Sequence, residues 1–318
     1  MFSLASYKTV YDVEEVQRRL QKVGPEQDGN LRKTYERMLE AGGQRLALKP
    51  VHVPAAQTLK EELPNFAGPI EHVMRALALA CDSADPVEVT PMLLLGDPGI
   101  GKTHFARRVA ELLGTHCQLV PMNAMTAGWI LSGSSSQWKG SKPGKVFEAL
   151  VDGEYANPVV VLDEIDKASS RAQYDPLGSL YGLLEHDTAQ HFTDEFSEVA
   201  LDCSAIVWVA TANDASGIPD PILNRMDVFE VPSPDEAGCR AIASRLYAEI
   251  RDGHDWGRLF EPELRESVLT ALAAMGPREM RRALASAFGA ARLAKRDHLL
   301  EEDLRRASAK PGRAIGFL

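Results

Sequence analysis

GDPGIGKT, residues 96–103, decides how the rest of the chain is read. It matches G-x-x-x-x-G-K-[ST] in full. Gly96, Gly99 and Gly101 let the backbone wrap so that consecutive N–H groups point at an anion. Asp97, Pro98, Ile100 and His104 fill the remaining positions of the loop and its exit, and are taken as binding positions with it. Lys102 is placed to reach the β- and γ-phosphates of a nucleotide, and the Thr103 hydroxyl to ligate Mg²⁺. Context strengthens the pattern. The apolar run PMLLLG (91–96) precedes it and reads as a strand, while HFARRVAELLG (104–114) follows as a helix whose N-terminal dipole favours the same anion.

Four further runs read as strands: HCQLVPMNA (116–124), NPVVVLDEID (157–166), SAIVWVATAND (204–214) and VFEV (228–231). Continuous apolar strands between helices indicate a parallel sheet covered on both faces. The polar ends of these strands carry the chemistry. Asp163 ends a buried strand and is placed to hold a Mg²⁺ shell, and Glu164 to polarise the attacking water. Asn213 ends another strand, suited to orienting a water or the γ-phosphate. Arg225, in IPDPILNRMDVFEV, falls outside the sheet; it reads either as a surface arginine or as a cation supplied to a neighbouring subunit.

After VPSPDE (231–236) the strands stop, and residues 235–251, 262–275, 278–294 and 300–308 read as helices. Before the strands, residues 12–23 and 31–41 have helical periodicity, and 49–65, with Pro50, Pro54 and Pro64, reads as a linker. The expected organisation is an N-terminal helical hairpin and linker (1–59), an α/β nucleotide-binding domain (60–233), and a helical domain with a tail (234–318).

From GDPGIGKT through LDEIDKASS, FTDEFSEVAL, WVATAND and IPDPILNRMDVFEV, the chain resembles the ATPase module of Lon-type AAA+ proteins. The resemblance covers roughly residues 60–306. It implies an α/β fold with a five-stranded parallel P-loop sheet, a helical lid, and a homo-oligomeric ring, usually of six subunits. It implies that Arg225 acts in trans, and that Arg278, in GPREMRRAL, senses the γ-phosphate in cis. Phe66 and Gly68, in PNFAGPIEHV, match the segment that contacts adenine in that family. The family's serine–lysine peptidase domain has no counterpart before Leu318, and Ser169 and Ser170 belong to the segment after the acidic motif, so peptide cleavage is not expected of this chain.

SGSSSQWKGSKPGK (132–145) places a large apolar residue, Trp138, in a polar loop. In the resembling family the stretch between the second strand and its following helix carries an aromatic residue that lines a central channel. The resemblance therefore implies that Trp138, followed by Lys139, grips a threaded polypeptide, with HFTDEF (191–196) as a second channel loop. The competing reading is a tryptophan folded back onto its own domain.

Composition bounds the rest. Of 318 residues, 45% are hydrophobic and 25% charged, an ordinary globular profile. A net charge of −10 disfavours nucleic acid as a partner. Cys81, Cys117, Cys203 and Cys239 are far apart and read as buried small hydrophobes. No apolar run is long enough to span a bilayer, and the N-terminus does not read as a signal peptide, so a cytoplasmic chain is expected. The reading is a ring-forming ATPase that uses ATP and Mg²⁺ to remodel or unfold a protein substrate, with or without an adaptor. The alternatives are an assembly switch that threads nothing, or a nucleic-acid motor. The tail KPGRAIGFL (310–318) reads as a docking peptide or a free end.

Overall fold

The computed structural model describes residues 3–24, 29–81, 83, 85–125, 127–168 and 175–308; Ser169, Ser170 and the tail at 310–318 lie outside them. The chain divides into two units. One, α/β, comprises residues 1–56, 68–96 and 102–231; the other, helical, comprises 57–67, 97–101 and 232 onwards.

The α/β unit carries a five-stranded sheet. Nine strands are described: β1 (Ser3–Thr9), β2 (Gln44–Pro50), β3 (Met92–Leu95), β4 (Cys117–Pro121), β5 (Val159–Asp163), β6 (Phe192–Thr193), β7 (Ala200–Leu201), β8 (Val207–Ala212) and β9 (Asp227–Glu230). The main sheet has the order β4-β5-β8-β3-β9, and all four pairings are parallel. This is the five-stranded parallel sheet that the resemblance implies. The three central strands are buried along almost their whole length, as continuous apolar runs require. The edge strands β4 and β9 are only partly covered.

The N-terminal region differs from the expected hairpin and linker. Its two helices, α1 (Val13–Lys22) and α2 (Gly29–Ala41), are present. Asp12 caps α1 by accepting from the Glu14 N–H at 2.9 Å, with acids in the first turn and bases in the last. But the helices lie between β1 and β2, which pair antiparallel from Ser3↔Pro50 to Thr9↔Gln44. Val16, Leu31, Tyr35 and Met38 share one core with Val160, Leu162 and Trp208 of the sheet. Buried Arg45 fastens β2 to the same body, donating to the carbonyls of Leu150 at 2.7 Å and Val151 at 2.6 Å. The stretch read as a linker contains helix α3 (Ala56–Glu62) and a 3₁₀ turn, Pro64–Phe66, which leads into α4 (Ala67–Ala80).

The helical unit contains Glu236–Asp252, Glu266–Ala273, Pro277–Leu293 and Glu301–Ser308, close to the four predicted spans. Its core includes Leu246, Tyr247, Phe260, Leu284 and Phe288, with Tyr247 stacked on Phe288 at 5.2 Å between centroids. Three of the four cysteines are buried and none is bridged; Cys117 is half-buried on the edge strand rather than enclosed. Burial pushes the Cys203 thiol well above its ordinary range. Among the described residues no helix is long and apolar enough to cross a membrane.

Candidate active site

The strand order places three polar strand ends side by side. β8 lies between β5 and β3, with Leu162 level with Ala210 and Leu95 level with Ala212. Asp163, Asn213 and the start of the phosphate loop at Gly96 therefore emerge together at the carboxyl edge of the sheet. Lys102 opens helix α5 (Lys102–Leu113) and is buried. Its ammonium donates to the Gly96 carbonyl and, at 3.2 Å, to Asn213 Oδ1. The lysine of the loop and the polar end of β8 are thus in direct contact.

The Thr103 hydroxyl donates to Asp163 Oδ1 at 3.0 Å. This hydroxyl and carboxylate are hard oxygen donors, the chemistry Mg²⁺ selects, so the pair fits that ion. The Thr211 hydroxyl donates to the same Asp163 oxygen at 2.8 Å and accepts the Glu164 N–H at 3.0 Å. Thr211 is 1% exposed.

Glu164 has left-handed backbone, φ 56° and ψ 51°. Few non-glycine residues adopt it, because the Cβ crowds the backbone. The conformation turns Glu164 off the line of β5, so that its carboxylate and that of Asp163 serve different partners. Glu164 Oε2 accepts from the Asn123 amide at 2.6 Å. Asn123 and Thr211 were not singled out in the sequence. The signal available was position: Asn123 follows β4 and Thr211 lies two residues before Asn213, so both fall at the carboxyl edge.

Arg225 lies elsewhere. It precedes β9, whose first residue Asp227 pairs with Met92 and donates its N–H to the Pro91 carbonyl at 2.8 Å. In a parallel sheet this is the amino edge. The four-residue strand β3 separates it from the carboxyl edge, about 13 Å of chain. The guanidinium donates twice to Glu185 Oε2, at 3.0 and 3.2 Å, and once to the Pro221 carbonyl at 2.7 Å. It also lies 6.0 Å from the centre of the Tyr181 ring.

In the helical unit, residues 97–101 lie against three partners of that unit. Gly99 and Gly101 have φ of +86° and +109°, backbone that favours glycine. A Cβ on Gly99 would lie 3.1 Å from Arg278 Cβ, so Arg278, exposed at the start of its helix, runs along the loop. A Cβ on Gly101 would lie 3.6 Å from the Phe66 ring. Phe66 is fully buried, so its ring forms a floor for the loop. The Ser233 hydroxyl donates to Asp97 at 3.0 Å. Ile100 is buried and Pro98 exposed, while His104, in the α/β unit, is half-buried. Gly68, in the first turn of α4, lies beside the Phe229 ring, 3.4 Å from where its Cβ would be.

Trp138 is 51% exposed, with Lys139 and Gly140 also exposed. Its ring meets Trp129 edge-to-face at 5.7 Å. It is therefore neither enclosed in the core nor wholly free. HFTDEF is only partly a surface loop: Asp194 and Phe196 are fully buried, and Phe192 and Thr193 pair with Ala200 and Leu201 in a small hairpin.

Residues 92–232 match the family described as "ATPase family associated with various cellular activities (AAA)". Among curated relatives, Lon protease of Halothermothrix orenii is 36% identical over 178 residues, 55% of this chain and 23% of that protein.

Residues 92–232 are a Lon-like AAA+ ATPase module.

The peroxisomal Lon protease homolog 2 of Arabidopsis thaliana is 29% identical over 297 residues, covering 88% of this chain and 32% of its own length. The chain spans about a third or less of the length of these Lon relatives. A solved mutant of Thermotoga maritima RuvB shares the fold at 14% identity and a TM-score of 0.51, over 81% of this chain and 71% of its own. The AAA+ module thus rests on family and fold as well as on its motifs.

Proposed function

We propose that the chain hydrolyses ATP to ADP and phosphate, and uses the cycle to remodel or unfold protein substrates drawn through the channel of a ring. The observation that carries the choice of a protein substrate is the half-exposed Trp138 on its Gly- and Ser-rich loop. An indole face grips side chains and backbone without reading sequence.

In this reading the loop amides and Lys102 hold the nucleotide phosphates. Thr103 and Asp163 hold Mg²⁺, which when bound neutralises phosphate oxygens. Glu164 takes the proton of the attacking water, and Asn213 orients the γ-phosphate. Arg278 supplies a cation in cis. Arg225 serves the neighbouring subunit, a role supported by its place at the amino edge of the sheet, away from its own carboxyl-edge residues. The ring is proposed to be a homo-hexamer, and the compartment cytoplasmic. Residues 60–233 are proposed as the nucleotide-binding domain and 234–318 as the helical lid and tail, with 1–59 as the segment before them.

The test compares ATP turnover with unfolded protein and with single-stranded DNA, alongside capture on a Glu164→Gln variant in ATP. Stimulation by unfolded protein, with that protein retained on the assembled variant, supports the reading. Stimulation by DNA alone would replace it with a nucleic-acid motor, and no stimulation by either with a switch.

A further inference from the structure

The loop that carries Trp138 begins and ends on glycines. Gly133 has φ +83°, and a Cβ there would lie 2.6 Å from Asp194 Oδ2. At the other end the Gly144 N–H donates to the same oxygen at 2.9 Å. A Cβ on Gly144 would fall 2.4 Å from the Gly133 nitrogen, so the two ends touch. The second oxygen of Asp194 is occupied too: Oδ1 accepts the N–H groups of Phe196 at 3.1 Å and Ser197 at 2.9 Å. One carboxylate thus binds both the loop end and the turn of its own hairpin.

Asp194 is fully buried, and among the described residues it has no cationic partner. Burial pushes its carboxyl above the ordinary range, against the pull of the Gly144 and Ser197 N–H groups. A buried carboxylate without a cation is costly unless its hydrogen bonds serve the fold. The next residue adds a second tie. The Glu195 N–H donates to the Ser132 carbonyl at 2.7 Å, and the Ser132 hydroxyl donates to Glu195 Oε1 at 2.9 Å. Between the glycines the loop closes on itself. The Ser134 N–H donates to the Lys142 carbonyl at 3.2 Å, and the Trp138 N–H to the Ser135 carbonyl at 3.0 Å.

We propose that Asp194 is the positioning residue of the Trp138 loop, pinning its two glycine ends to the Phe192–Leu201 hairpin so that the exposed indole is presented from a fixed base. The hairpin is then the foundation of the loop rather than a second gripping element. The functional consequence rests on the channel reading above; the pin itself does not.

The geometry specifies the test. Asp194→Asn keeps one oxygen and converts the other to a donor. The oxygen goes to the side with two N–H groups, Phe196 and Ser197, which leaves the new NH₂ facing the Gly144 N–H. Hydrogen exchange of Gly144 and of residues 134–143 should then rise at least tenfold, while Phe196 and Ser197 keep their protection. A uniform rise at all of these amides would reduce Asp194 to a general structural role, and no rise at Gly144 would remove the pin. If the variant does not fold, the wild-type chain decides: Gly144 should exchange as slowly as Phe196 and Ser197, and exchange at the rate of an unprotected loop amide overturns the proposal. If the selective rise occurs but unfolding of a tagged substrate is unaffected, the pin stands and the channel reading fails.

Discussion

The Asn123 amide donates to Glu164 Oε2 at 2.6 Å, so the carboxylate proposed to activate water is held by the residue that follows the neighbouring strand. A hydrogen bond to a charged group contributes about 1.5–3 kcal/mol. It restrains the carboxylate and fixes its direction. Asn123→Ala should leave ATP binding unchanged and raise basal turnover by roughly tenfold, if most of that free energy restrains the base. Steady-state turnover at saturating ATP checks this. A fall in turnover would make Asn123 an aid to catalysis rather than a restraint.

Thr211 holds both acids of the β5 end through one hydroxyl. Thr211→Val keeps the shape but leaves the Glu164 N–H without its partner, at a cost of about 1–3 kcal/mol. Its melting temperature and kcat should both fall. Thr211→Ser should restore both, because the serine hydroxyl can make the same two bonds. A valine variant with wild-type kcat would show that the backbone holds Glu164 unaided.

Arg225→Ala should bind ATP normally and hydrolyse it about a thousandfold more slowly, the scale of losing a cation at a transferring phosphate. Mixing it with Lys102→Ala should recover activity, because some mixed interfaces join an intact loop to an intact arginine. Demonstrably mixed assemblies without recovery would argue against action in trans. The Arg225–Glu185 pair is partly exposed, 29% and 52%, so it contributes at most about 1 kcal/mol. Glu185→Gln should therefore leave the melting temperature unchanged.

Truncating a fully buried tryptophan costs about 3–5 kcal/mol. Trp138 is half-exposed and meets Trp129 edge-on, a contact of about 0.5–1.5 kcal/mol. Trp138→Ala should therefore lower the melting temperature only slightly while abolishing unfolding of a tagged substrate. Trp138→Tyr should keep part of that activity. A large drop in melting temperature would mark Trp138 as a packing residue.

The α/β sheet was legible because its strands announce themselves. MLLL, VVVLD and VWVATA are short, mostly apolar runs between turn signals, the pattern of strands covered on both faces. The phosphate loop was legible because its glycines and lysine are contiguous. β1 and β2 were not: SLASYKT and QRLALKP alternate weakly, and their pairing joins residues more than thirty apart, which no local pattern encodes. The apolar faces of α1 and α2 were visible, but not the core that receives them.

Sequence by itself determined which residues have polar chemistry at strand ends: Lys102, Thr103, Asp163, Glu164 and Asn213. Tertiary structure decided which of them touch, because strand order is not chain order. Only the insertion of β8 between β5 and β3 brings Asn213 to Lys102 and Thr211 to Asp163. The same holds for Asp194, which reads as one acid in a polar stretch. It becomes a buried pin because folding brings two glycines, eleven residues apart, to within reach of one carboxylate, and glycine alone leaves room for that approach.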